Sequence, residues 1–254
     1  MKKISLLLSL FGLLLLTVIA GLFYSPSVPF KPNFAAIQPL AIRQQIFINF
    51  MVPKVVSANT AVLATRQRIQ SVMSEWQQRG TLSGADRYWL YTTAYVYQLP
   101  KFNIQNPLDV QELLSRVDEV PASLVLAQSA NESAWGASRF AQQADNFFGQ
   151  HCFVAGCGIV PLKQTEGSEY EVQKFHNVQD SVSDYVYNLN TNSSYQSFRD
   201  LRAKMRAKNK PLTGFALVTR LSNYSILGEG YIIRISNIII SHNLIQYDEL
   251  DSSS

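Results

Sequence analysis

The sequence predicts a mostly helical α+β fold with one small β-hairpin, preceded by an N-terminal membrane-directed helix. Three observations predict this. Apolar residues recur at helical spacing through most of residues 41–254. One stretch near 159–175 changes to an alternating, β-rich pattern with turn residues at its centre. The chain also begins with two lysines followed by a long uncharged apolar run. With 254 residues, 47% hydrophobic and 16% charged, the chain is too apolar to be disordered and long enough to bury a core.

The apolar run from Ile4 to Tyr24 is 21 residues. At ~1.5 Å per residue it would span the ~30 Å hydrocarbon core of a bilayer as a helix. Lys2 and Lys3 before it place the N-terminus in the cytoplasm and direct the rest of the chain outward. A retained inner-membrane anchor facing the periplasm is expected, with cleavage after Ala20 as the alternative. Residues 25–40 then form a proline-containing extended linker. Without Lys2 and Lys3 the remaining chain holds 20 basic and 18 acidic residues. No nucleic-acid partner is expected from so even a balance.

Residues 41–117 read as an N-terminal helical region. Val55, Ala58, Val62, Ile69, Val72 and Trp76 recur at helical spacing, and Gly80 with Ser83-Gly84 breaks the pattern. The next helix is rich in aromatics: Tyr88, Trp89, Tyr91, Tyr95 and Tyr97. Packing against another helix is preferred for them over a carbohydrate-stacking surface. A short amphipathic helix covers Leu108 to Val117, and Pro121 opens another in its first turn. Residues 118–254 read as the domain that carries the chemistry. Its hairpin is expected to pair Ile159–Thr165 with Glu169–Phe175 around Glu166-Gly167-Ser168. Helical pattern resumes at Ser181.

Cys152 and Cys157 are the chain's two cysteines, spaced C-x4-C. In an exported protein so close a pair reads as a disulfide. A zinc site would need two more ligands than these provide, so no metal and no cofactor are expected. The stretch Arg199 to Lys210, with six basic residues and one acid, reads as a solvated helix face, an anionic partner being the alternative.

The most informative segment is Ala122 to Asn131, which carries no charge and is followed at once by Glu132. A helix that is apolar or small on every face is buried. Glu132 thus sits at the C-terminal end of a buried helix, one turn from Trp135. Desolvation, an aromatic neighbour and the negative end of the helix dipole all favour its neutral acid form. That is the form a general acid needs to protonate a glycosidic oxygen.

Ser129-Ala130-Asn131-Glu132-Ser133-Ala134-Trp135-Gly136 resembles the E-S-x-W-G signature of bacterial glucosaminidase-domain proteins, glycoside hydrolase family 73. Asn146-Phe147-Phe148-Gly149 is similar to the turn that comes after it, and the loop CFVAGCGIVPL resembles the Bax-type branch. Weaker likenesses come in family order at Phe175, Ser181, Asp184, Tyr185, Tyr195 and Leu221–Tyr231. The resemblance implies a lysozyme-like domain that cleaves β-1,4 bonds between N-acetylated amino sugars of peptidoglycan glycan strands. It implies Glu132 as general acid and Tyr224 beside the bond cleaved. It further implies sugar contacts from Ser133, Trp135, Asn146, Phe148, Gly149 and Tyr195. The second carboxylate is sought among Glu166, Glu169 and Glu171. Glu166 at the hairpin tip is preferred, with assistance by the substrate's own acetamido group as the alternative; Glu169 and Glu171 share a solvated face. A lytic transglycosylase and a non-catalytic wall-binding scaffold are the rival functions.

Overall fold

Side-chain caps and glycine stops place the helices close to where the periodicity predicts them. The structure, a computed structural model, describes residues 30–162 and 170–249. The apolar run from Ile4 to Tyr24 lies outside those residues. Helix α1 spans Leu40–Arg79 and stops at Gly80, whose φ of 69° lets its N–H close on the Trp76 carbonyl. Ser83 caps α2 (Gly84–Val96) by accepting from the Asp86 N–H, and Asn106 with Pro107 starts α3 (Pro107–Arg116). By length and composition α1 could also cross a membrane. In this fold, however, it joins two apolar clusters. Phe47, Met51, Val55 and Ala58 enter the larger one, and Ile69, Val72 and Met73 enter a second with Leu90, Ala94, Phe102 and Leu113.

The aromatic α2 buries Leu90 and Ala94, while Trp89 and Tyr97 pack at the cluster's edge. Tyr88 and Tyr95 stand in solvent, 75% and 69% exposed, so helix packing accounts for only part of that aromatic run.

Helix α4 (Ala122–Ser133) is the centre of the larger cluster: every residue from Ala122 to Ala130 is buried. Its N-terminus has no cap of its own, because Pro121 lacks a polar side chain. Asp248 supplies one from 125 positions downstream, accepting from the Ser123 N–H and hydroxyl, each at 2.8 Å. Three helices surround α4: the first half of α1, the short α8 (Gly214–Leu217) and α9 (Glu229–Ser241). Between α4 and α9 lie α5 (Arg139–Ala144), α6 (Val178–Thr191) and α7 (Gln196–Ala207). The described residues from Asn33 onward form one compact unit, so the extended linker expected over residues 25–40 gives way at its end to the 3-10 turn Phe34–Ala36, whose Phe34 is buried in the larger cluster.

The β region is a three-stranded antiparallel sheet rather than a lone hairpin. Strand β3 (Glu171–Gln173) is central, flanked by β1 (His151–Cys152) and β2 (Gly158–Ile159). His151 and Ile159 both stand opposite Val172. Among the described residues β2 pairs with β3 as expected, the expected tip within residues 163–169 lies outside them, and β1 is an additional partner. Gly158 permits the close approach, since a Cβ there would meet the Val172 carbonyl at 2.0 Å.

The basic stretch Arg199 to Lys210 is only in part a solvated face: Lys204, Lys208 and Lys210 are exposed. Arg199 and Arg202 are both fully buried. The Arg202 guanidinium donates to the carbonyls of Ser115, Asp118 and Glu119 and to Asn190 Oδ1. It thereby clamps the connection between α3 and α4. Asp118 answers with its carboxylate, bridged to Arg206 at 2.7 Å and 3.6 Å from Arg66. Asn59 of α1 closes the same connection by bonding both the N–H and the carbonyl of Val120. Arg202, Asp118 and Asn59 all find backbone or counter-charge partners, as burial requires.

Asp118→Asn should therefore destabilise the fold by about 3–5 kcal/mol, because Arg202 would keep its buried charge and lose the compensating one. Burial alone would raise the Asp118 carboxyl, but Arg202, Arg206 and Arg66 outweigh it and hold the group below its ordinary value. Its stabilising contribution is present above the unfolded pKa of about 4 and is lost as pH falls through the folded value. Denaturant melts at neutral pH and below about pH 4 should show an acid-dependent loss in the wild type that is smaller in the variant.

Candidate active site

Glu132 occupies the last turn of α4, and the helix ends immediately after it by an abrupt change of backbone. Ala134, Trp135 and Gly136 come next with φ of 52°, 58° and 77°. Three consecutive left-handed residues, two of them not glycine, store strain that their surroundings must hold in place. Ser133 does much of this. It is fully buried, its hydroxyl donates to the Ser129 carbonyl at 2.6 Å, and it accepts from the Gly136 N–H at 2.8 Å. The expected sugar contact by Ser133 is thus replaced by a framework role. Trp135 packs its ring on Phe47 and His242, with centroids 5.6 Å and 4.7 Å away. Gly136 lies against Phe34, where an added Cβ would meet the ring at 2.5 Å.

The Glu132 carboxylate is held by donors on one oxygen. Tyr231 of α9 donates to Oε1 at 2.8 Å and Asn131 Nδ2 donates to the same atom at 3.0 Å. Among the described residues none donates to Oε2. Behind Tyr231 the donors form a chain with one direction. Tyr185 of α6 donates to Gln128 Oε1, Gln128 Nε2 donates to the Tyr231 oxygen at 2.8 Å, and Tyr231 donates to Glu132. Since Gln128 already occupies the Tyr231 oxygen with a donor, the tyrosine's single proton is committed to Glu132. Burial, together with the Glu132 charge, pushes the Tyr231 phenol far up, and burial does the same for Tyr185, so both remain donors.

Tyr224 stacks on Tyr231 at 5.4 Å and donates its hydroxyl to the Phe148 carbonyl at 3.1 Å. Phe148 in turn stacks on Tyr185 at 4.1 Å, and Tyr195 packs beside Tyr224 at 6.1 Å. Of these rings Phe148, Tyr195 and Tyr224 border a groove of about 510 Å³ that also takes in Gly149, Gln150, His151 and Asp184. Asn146 does not reach it. That residue is buried, donating to the carbonyls of Gln150 and Gln173 and accepting the N–H groups of Phe148, Gly149 and Gln150. It shapes the turn that presents Phe148 and Gly149 to the groove.

Of the residues expected to act together, Glu132, Tyr224, Phe148, Gly149 and Tyr195 converge around the tyrosine chain. Ser133, Asn146 and Trp135 support the backbone that carries them. Glu166 and Glu169 lie outside the described residues. Glu171 is no solvated carboxylate: it accepts from the N–H groups of Gly156 and Gly158 at 2.9 and 2.7 Å. Cys152 and Cys157 are joined in a disulfide. The cluster of Cys152, Cys157 and Glu171 could hold a metal by proximity, but these bonds already engage all three. Tyr231 stands in the closing motif, Leu221–Tyr231, without an assigned role, and Gln128 is the site residue that no motif singles out. Gln128 had a signal, one turn before Glu132 in a helix buried all round, where an amide must find partners.

Gly136→Ala should cost about 2–4 kcal/mol, since it adds a Cβ at a left-handed φ and drives it into Phe34. A lowered denaturation midpoint, with Glu132-dependent function failing in parallel, is the expected reading.

The sequence matches the glucosaminidase family, described as mannosyl-glycoprotein endo-beta-N-acetylglucosaminidase, over residues 109–244. It is also 34% identical, over 189 residues, to the protein named Protein bax of Escherichia coli (strain K12). That alignment covers 74% of this chain and 66% of the relative, so the chain spans just under two thirds of the relative's length. No solved structure matches. The family match takes in α4 with Glu132, the disulfide loop, the groove and the tyrosines of α6 and α9, and it covers more than half of the residues. The chain belongs to the glucosaminidase-domain family, in its bax-type branch.

Proposed function

We propose that the protein hydrolyses β-1,4 bonds between N-acetylated amino sugars in peptidoglycan glycan strands, with Glu132 as general acid. One observation carries this reading: a carboxylate at the end of a buried helix, fixed through Oε1 by Tyr231 and Asn131, with Tyr231 stacked on the Tyr224 that lines a groove together with Phe148 and Tyr195. In the proposed reaction protonated Glu132 gives its proton from Oε2 to the glycosidic oxygen. The C–O bond breaks as that oxygen takes the proton, and water adds at the anomeric carbon, the proton it loses restoring the Glu132 acid. Fixing Oε1 leaves the carboxyl group one way to present its proton, which converts a search over orientations into a prepared geometry.

Tyr224 is proposed to wall the sugar next to the scissile bond, its ring fixed by the Tyr231 stack and by the Phe148 carbonyl. Glu166 is proposed as the second carboxylate, with the substrate's acetamido group as the assisting group in its place. An apolar N-terminal stretch and a disulfide fit a membrane-anchored or exported protein. We place the domain in the periplasm, tethered to the inner membrane through Ile4–Tyr24.

Incubating the full chain with purified peptidoglycan and weighing the fragments tests the reaction. Products should gain one water; 1,6-anhydro ends would indicate transglycosylation instead, and binding without release would indicate a scaffold. Glu132→Gln should lower the rate on the order of 10²–10⁴ without changing the fold. Wild-type turnover in that variant would remove Glu132 from the mechanism.

A further inference from the structure

The loop closed by the disulfide is built more rigidly than its surface position requires. Beyond the Cys152–Cys157 bond, the Glu171 carboxylate ties down the Gly156 and Gly158 N–H groups, and the Cys157 N–H closes a turn on the Val154 carbonyl. Its two ends, β1 and β2, are both paired to β3. Yet the side chains this framework presents are apolar and wet: Phe153 is 79% exposed and Val154 74%. Holding a phenyl ring in water gains nothing from burial and gives up the freedom that would let it fold back. The arrangement is preorganised for something that covers the ring.

The position of Phe153 says what that is. It borders the same groove as Phe148, Tyr195 and Tyr224. The polar lining there is chiefly neutral, with the amides of Gln150, Asn188 and Asn192, and its one carboxylate, Asp184, already accepts from Gln150. Aromatic faces with neutral amide donors and acceptors match the C–H faces, hydroxyls and acetamido groups of an N-acetylated sugar. They offer nothing to a charged ligand. His151 beside the loop stacks on Tyr170 and is pushed toward its neutral form by burial, which keeps that end of the groove uncharged.

We propose that Phe153 is a stacking platform for a sugar of the bound glycan strand, and that the disulfide acts as a positioning element by holding this platform against the groove. The proposal rests on the glycan reading above and extends it. Glycan affinity then depends on the oxidation state of Cys152 and Cys157: reduction frees the loop and releases one wall of the groove. Phe153 touches the substrate away from the reacting atoms, so its loss weakens binding and leaves the proton transfer at Glu132 in place.

The test uses the full chain carrying Glu132→Gln, titrated with the β-1,4 tetramer of N-acetylglucosamine so that binding is measured without turnover. Phe153→Ala in that background should weaken Kd about five- to tenfold, and Phe153→Trp should restore it. Cys152→Ser with Cys157→Ser, or reductant on the parent, should weaken it similarly. In the Glu132 enzyme, Phe153→Ala should raise KM and leave kcat nearly unchanged. Unaltered tetramer affinity in a folded Phe153→Ala variant would overturn the inference and leave the Glu132 assignment standing. Failure of the parent to bind the tetramer would instead overturn the glycan reading itself. If the double cysteine variant does not fold, the alanine and tryptophan pair still decides.

Discussion

A helix with no side chain in water from Ala122 to Ala130 has to be covered on every side, and that requirement organises the molecule. Helices α1, α8 and α9 supply the cover, and the approach to α4 is fixed before it starts. The three-carbonyl clamp of Arg202, the Asp118 counter-charge and the paired bonds of Asn59 leave residues 115–120 no alternative path. Whatever stands at the far end of α4 is consequently positioned by the whole core. A carboxylate stands there.

Burying a polar chain through a core is unfavourable unless every member is satisfied. The line from Tyr185 through Gln128 and Tyr231 to Glu132 meets that condition by pointing all its donors one way. The arrangement also divides labour between the two oxygens of the Glu132 side chain. One is held by Tyr231 and Asn131, and the other meets no donor among the described residues. The same tyrosines that carry the hydrogen bonds carry the stacking that shapes the groove, so polar and apolar parts of the site share one set of rings.

Much of this was legible in the chain. The α+β class, the buried helix before Glu132, the helix breaks at Gly80 and Ser83, and the cysteine pairing all arise from local pattern and capping chemistry. Other features were not local. Two-residue strands such as β1 and β2 are too short to show alternation, so the third strand left no trace. A basic stretch reads the same whether it faces water or backbone carbonyls, which is why the burial of Arg199 and Arg202 does not show in the sequence. Ser133 and Asn146 stand in motifs, and motif membership says that they matter without saying whether they touch a ligand or hold a turn. Burial decides between those, and burial is a property of the fold.

The cap that Asp248 places on α4 ties the start of the central helix to a residue that leaves the ribosome long after it. Until that carboxylate arrives, the first turn of α4 has open N–H groups and the core around Glu132 lacks its closing segment. During synthesis, then, the helix that carries Glu132 is among the last parts of the molecule to become settled. A nascent chain halted before that residue would hold Glu132 on a helix without its anchor. Settling of the Glu132 end of that helix thus waits for a residue 125 positions past Ser123.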